Sequence, residues 1–153
     1  MHELFVYLNS IKQLSPNIDE HLSLVLKEKT FLKKEYLLKT NQVCKNIWFI
    51  KNGLVRCFYN KNSIEVCSWF MKEGDMVISV ESFFKQKAGF ENIQALEDTT
   101  VYYIEYSQLQ EMYHTFPEFN FIGRVLTEKY YTLSEERLFL SECNGHMNVM
   151  NTL

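Results

Sequence analysis

Apolar positions follow a helical period at both ends of this chain and a strand period in between. Leu4, Leu8, Ile11 and Leu14 recur in steps of three and four, which predicts a helix over 2–14. Ser15-Pro16 then reads as an N-cap followed by proline at the first helical position. Asp19 and Glu20 fall in the first turn, where the helix dipole favours acids. Ile18, Leu22, Val25 and Leu26 make the inner stripe of that second helix, and Lys27 and Lys29 close it. From Thr30 the period changes to short runs rich in β-branched and aromatic residues, at 31–32, 36–39, 47–51, 54–59 and 64–71. Thr40-Asn41, Asn52-Gly53 and Asn60-Lys61-Asn62 supply the turns, and Asn-Gly between apolar runs predicts a hairpin.

The stretch 69–104 organises the rest. It turns at Lys72-Glu73-Gly74-Asp75, passes a small polar segment with Ser79, Glu81 and Ser82, and crosses a soft loop at 85–89. It returns as apolar runs at 92–97 and 101–104. About eight strands at this spacing predict a mainly β fold with flanking helices, an antiparallel jelly-roll-like barrel. The polar residues stand just before a loop that interrupts the barrel, where a small ligand enters a closed sheet.

After Tyr106 the helical period returns. Ser107-x-x-Gln110 reads as a capping box, with Leu109, Met112 and Tyr113 inward. Thr115-x-x-Glu118 opens a longer helix to about Leu140, on which Phe119, Ile122, Leu126, Tyr130, Leu133 and Leu140 keep near-heptad spacing. Phe121 and Val125 add a second stripe, and a helix apolar on two faces needs two neighbours, its own barrel and a partner chain. Asn144-Gly145 is expected to stop it and leave a loosely packed tail. The predicted divisions are N-terminal helices 1–29, barrel 30–106, C-terminal helices 107–140 and tail 141–153.

Composition narrows the class. The 153 residues suit one domain with a core, and a net charge of −3 argues against a chain built to grip phosphate backbones. No apolar run approaches the roughly 20 residues of a membrane span, and the N-terminus lacks a signal-peptide pattern, so a cytoplasmic protein is expected. Cys44, Cys57, Cys67 and Cys143 form no C-x-x-C pair and read as buried or half-buried thiols in a reducing compartment.

Two N-terminal helices, an eight-strand barrel, a short helix and a long apolar helix together resemble the effector domain of Crp/Fnr-type bacterial transcription regulators. NIWFIKNGLVRCFY (46–59) is similar to the hairpin of that family, and EGDMVISVESFF (73–84) to its glycine turn and phosphate-binding cassette. PEFNFIGRVLTEKYYTLSEERL (117–138) is similar to its dimerisation helix; the last two look most like the Bacteroidetes branch. The resemblance covers 15–140 and implies a cyclic-nucleotide-binding-like domain, homodimeric through Ile122, Leu126, Tyr130 and Leu133. Relatives that bind cyclic AMP carry Gly-Glu in the cassette and Arg-Ser or Arg-Thr before the next strand. Here Ile78-Ser79 and Gly89-Phe90 stand in those places, so cyclic AMP is not expected to bind. The family's winged helix-turn-helix is expected to be absent from this chain, which alone should not bind DNA.

Enzyme chemistry finds little footing. A metal-dependent cupin needs histidines inside the barrel, and His2, His21, His114 and His146 all lie outside 31–106. An iron–sulfur sensor needs clustered cysteines near the N-terminus, and the first here is Cys44. No G-x-S-x-G marks a nucleophile. The expectation is a non-catalytic sensory and dimerisation domain without cofactor or metal, open to a small-molecule effector. Its candidate pocket residues are Arg56, Ser79, Glu81, Ser82 and Gln94. The alternative is a cyclic-nucleotide-binding module in which Arg56 replaces the missing clamp. A third reading, a stand-alone interaction domain, would show a barrel filled by side chains.

Overall fold

Local sequence chemistry sets the helical entry to the domain. The computed structural model describes the backbone of residues 1–150 and the side chains of residues 1–138. Helix α1 (His2–Ile11) lays Leu4 and Leu8 on the core, and Leu14 follows them in. Helix α2 (Pro16–Val25) is capped by Ser15, whose hydroxyl accepts from the Ile18 amide. At Leu26 the backbone turns extended, so Lys27 and Lys29 open a strand instead of closing a helix.

Eight strands follow: β1 (Lys27–Phe31), β2 (Tyr36–Leu38), β3 (Asn46–Asn52), β4 (Leu54–Lys61), β5 (Ile64–Lys72), β6 (Met76–Val77), β7 (Asn92–Ala95) and β8 (Thr99–Glu105). They form two four-stranded sheets, ordered β1-β8-β3-β6 and β2-β7-β4-β5, with antiparallel pairing throughout. The fold is a jelly-roll, but the expected closed barrel is instead two open sheets. After β5 the chain turns through Gly74 (φ 89), held by the Lys72 amide donating to Asp75 Oδ2 at 2.9 Å. That turn carries β6 into the first sheet and leaves one edge of β5 without a strand partner.

Asn52-Gly53 also does something other than make a hairpin, because β3 and β4 belong to different sheets. Gly53 sits at φ 117, and a Cβ there would come within 2.6 Å of the Thr99 Cα. Only glycine turns this corner so close to β8, where the buried Thr99 hydroxyl accepts from the Leu54 amide and donates to the Glu97 carbonyl. The hairpin instead joins β4 and β5, with Asn62 and Ser63 both left-handed at its tip.

Helix α3 (Val80–Lys85) interrupts the strands, and α4 (Tyr106–Thr115) leaves β8 without a linker. Its capping box is Glu105 with Gln108 and not Ser107 with Gln110, because the chain is already helical at Tyr106. Helix α5 (Phe119–Met150) begins beyond Pro117 and continues past Asn144-Gly145, where the sequence predicted a stop. Among the described residues, no helix is long and apolar enough to cross a membrane. One core joins both sheets to the helices, through Ile50, Val55, Val77, Ile93 and Val101 between the sheets and Ile18, Met112 and Ile122 at the helical side.

Candidate functional site

The segment between β6 and β7 is stitched to the loop before β3. Ser82 is buried; its hydroxyl accepts from the Cys44 amide at 2.9 Å and donates to the Lys87 carbonyl at 2.6 Å. Gln86 ends α3 in the left-handed region (φ 49), and its amide nitrogen donates to the carbonyls of Cys44 and Phe83. The Gly89 amide donates to Gln42, and the Asn41 amide donates back to Gly89. Residues 85–89, expected to be a soft loop, are therefore fixed on both sides. A Cβ at Gly89 would stand 3.0 Å from the Ser82 Cβ, tighter than ordinary contact.

At the mouth of this segment Ser79, itself buried, donates to Glu91 Oε1 at 2.9 Å. Burial raises the Glu91 pKa above the ordinary carboxylate value, and the Ser79 hydrogen bond offsets only part of that rise. Glu91 forms no salt bridge among the described residues. Two buried thiols feel the same environment: Cys57 is pushed up to about 12, chiefly by burial with Glu91 adding, and Cys44 rises for the same first reason. Chemically this is a half-buried acid with a hydroxyl donor beside two buried thiols, an arrangement that offers no cation to an anionic ligand.

The predicted pocket residues separate into three groups. Arg56 lies on the outer face of β4, because its neighbours Val55 and Cys57 are the ones buried between the sheets. Its Nε and Nη2 donate to Gln94 Oε1 at 3.1 and 2.9 Å, and Nη1 pairs with Glu65 at 3.1 Å. The guanidinium stacks on Phe58 at 3.9 Å, and Gln94 passes the chain of bonds on to the Lys34 carbonyl. Arg56 and Gln94 are thus brought together, but away from Ser79 and Ser82. Glu81 lies in solvent away from the other candidates, paired with Lys85 one helical turn on. Glu91 and Cys44 are the members that sequence reasoning missed. The available signal was a lone acid between Phe90 and the strand β7.

The expected interface residues are largely occupied by the chain's own body. Ile122 is only 1% exposed and belongs to the chain's own core, and Leu126 is half-buried against that core. Tyr130 accepts from the Met76 amide at 2.8 Å, and Leu133 lines a cleft. Cys67 is exposed, contrary to the expectation of buried or half-buried thiols, because it lies on the open-edge strand β5. Cys143 and the side chains beyond Leu138 lie outside the described residues.

Residues 28–116 match the family model described as the cyclic nucleotide-binding domain. Among solved structures, a cyclic nucleotide-binding domain from Methylobacillus flagellatus aligns with a TM-score of 0.77 at 14% identity, covering 92% of this chain and 83% of that one. The Thermus thermophilus catabolite activator protein aligns at TM-score 0.66 and 16% identity, over 86% of this chain and 62% of that one. The c-di-GMP-responsive global regulator CLP of Xanthomonas campestris aligns at 0.64 and 13%, over 82% and 60%. At these identities the likeness is one of fold. No curated protein sequence matches the chain.

Proposed function

The chain belongs to the cyclic nucleotide-binding domain family, and from that premise we propose that it is the sensory and dimerisation unit of a Crp/Fnr-like transcription regulator whose effector is not cyclic AMP. The observation that carries this reading is the Ser79–Glu91 pair at the mouth of the cassette, with Gly89-Phe90 where the resemblance places a clamp. A cyclic phosphate entering there meets a carboxylate and no guanidinium. Burial disfavours the ionised form of Glu91, so the acid offers neither a counter-charge nor a cationic clamp to a phosphate. Arg56 offers no substitute, since its hydrogen-bond partners hold it on the outer face of the second sheet. CLP shares this fold and is described as c-di-GMP-responsive, which supports a fold whose effector varies. The unit is read as non-catalytic and cytoplasmic, and DNA contact is assigned to a domain other than this one. Melting in excess cyclic AMP or cyclic GMP is the test. A ligand at 100 times its Kd adds about 2.7 kcal/mol, roughly 5–10 °C in Tm for a chain of this size. No shift is expected, and a rise of that order would overturn the reading.

Dimerisation is proposed through a different face of α5 from the one its apolar stripe first suggested. The helix has 32 residues, about 48 Å of length, and its inner side is used by the chain's own sheets and helices. Tyr131 and Leu138 lie seven residues apart on the outer side, each 66% exposed. Leu138→Glu with Tyr131→Glu should give a folded monomer by light scattering, whereas Leu126→Glu, at a half-buried position, should lower stability. A wild type that is monomeric at high micromolar concentration would refute the dimer.

A further inference from the structure

Beyond the cassette, α5 crosses the open edge of the second sheet and leaves a cleft of about 400 Å³. Trp69, Phe70 and Met71 of β5 form one wall, and Tyr130, Leu133 and Arg137 of α5 form the other. The volume falls in the range of small-molecule sites, roughly 300–1,000 Å³. The Arg137 guanidinium lies 3.8 Å from the centre of the Trp69 ring, and its Nη2 donates to the Ser68 carbonyl. Its Nη1 is buried and has no acceptor among the described residues. The guanidinium borders the cleft, where a carboxylate beside it would gain a charge-assisted hydrogen bond.

We propose that this cleft binds a small monoanion on a flat apolar body, of the aromatic carboxylate class, with the carboxylate at Arg137 and the ring against Trp69. The other lining groups decide the class. Leu133, Met71 and Phe70 offer nothing to sugar hydroxyls, which would lose their water without replacement. Tyr130 accepts from the Met76 amide and keeps its O–H to donate to a ligand carboxylate, and Asp75 accepts from the Lys72 amide. Asp75 lines the same cleft, so a dianionic phosphomonoester is disfavoured more strongly than a single carboxylate held at Arg137. Such a ligand touches β5 and α5 together, and its affinity therefore depends on where the helix sits. The inference rests on the effector-domain reading only for that regulatory consequence; the binding itself does not.

The test is calorimetry on the whole 153-residue chain with 2-naphthoate, its neutral analogue 2-naphthamide, and cyclic AMP. Naphthoate should bind saturably, one per chain, and quench Trp69 emission. Affinity should fall about tenfold or more for the amide and in Arg137→Gln, vanish in Leu133→Trp, which fills the cleft, and stay unchanged in Glu91→Gln. Absence of saturable binding up to millimolar naphthoate, or equal affinity in Arg137→Gln, overturns the proposal. So does a cleft occupied by a second copy of the chain, in which case naphthoate fails to bind and Arg137→Gln alters dimer dissociation instead. Binding of cyclic AMP that survives Arg137→Gln would overturn the proposed function and leave this site standing.

Discussion

The β6–β7 segment and the open edge of β5 are finished in opposite ways. In the former, the Ser82 hydroxyl, the Gln86 amide and the backbone of Gly89 are all bonded to residues 41–44 or to the segment itself. At the latter, β5 lacks a strand partner on one side, Phe70 is 59% exposed, and one nitrogen of Arg137 has no acceptor among the described residues. The segment that resembles the family's cassette is therefore closed by its own hydrogen bonds, whereas the strand–helix edge leaves an Arg137 nitrogen without an acceptor among the described residues. Unmet polar groups beside open space are a guide to ligand chemistry that does not depend on where an inherited loop lies.

The largest expected effect breaks this contrast if it fails. Ser82→Ala leaves the Cys44 amide and the Lys87 carbonyl without their partner and should cost about 2–3 kcal/mol. Leu133→Ala, at the half-exposed cleft wall, should cost less than about 1 kcal/mol. Urea midpoints measure both, and equal losses would erase the distinction between a sealed and an open region.

A smaller effect sharpens it. Burial raises the Glu91 pKa, so the protonated form is favoured in the folded state. Its contribution is fully present below the unfolded-state value, about 4.3, and is lost as pH rises through the raised folded value. The stability of the wild type relative to Glu91→Gln should therefore fall as pH climbs from about 4 towards neutrality. A difference that is flat, or that grows with pH, would mean that Glu91 is solvated or paired.

How much of this was legible in the sequence depends on the range of the signal. Period and capping placed α2 through Ser15-Pro16, and strand-type runs marked most of the strands, because those signals are local. The Asn52-Gly53 corner misled because local turn chemistry does not say whether the next strand pairs with the last one or crosses to the other sheet. The stripe Ile122–Leu126–Tyr130–Leu133 was correctly apolar, yet spacing alone cannot say which neighbour covers it. Arg56 and Gln94 do meet, since they face each other across β4 and β7, but their side of the sheet follows from where Val55 and Cys57 point. Glu91 went unnoticed because its meaning comes from Ser79, twelve residues earlier and in contact only after folding.

The most direct measurement of the central claim is calorimetric titration of cyclic AMP and cyclic GMP into the wild-type chain near neutral pH. With an acid at the cassette mouth and Arg56 held on the outer face, neither nucleotide should give saturable heat at accessible concentrations. Micromolar binding that disappears in Arg56→Ala would mean that a clamp assembles from the outer face after all, and would contradict the account.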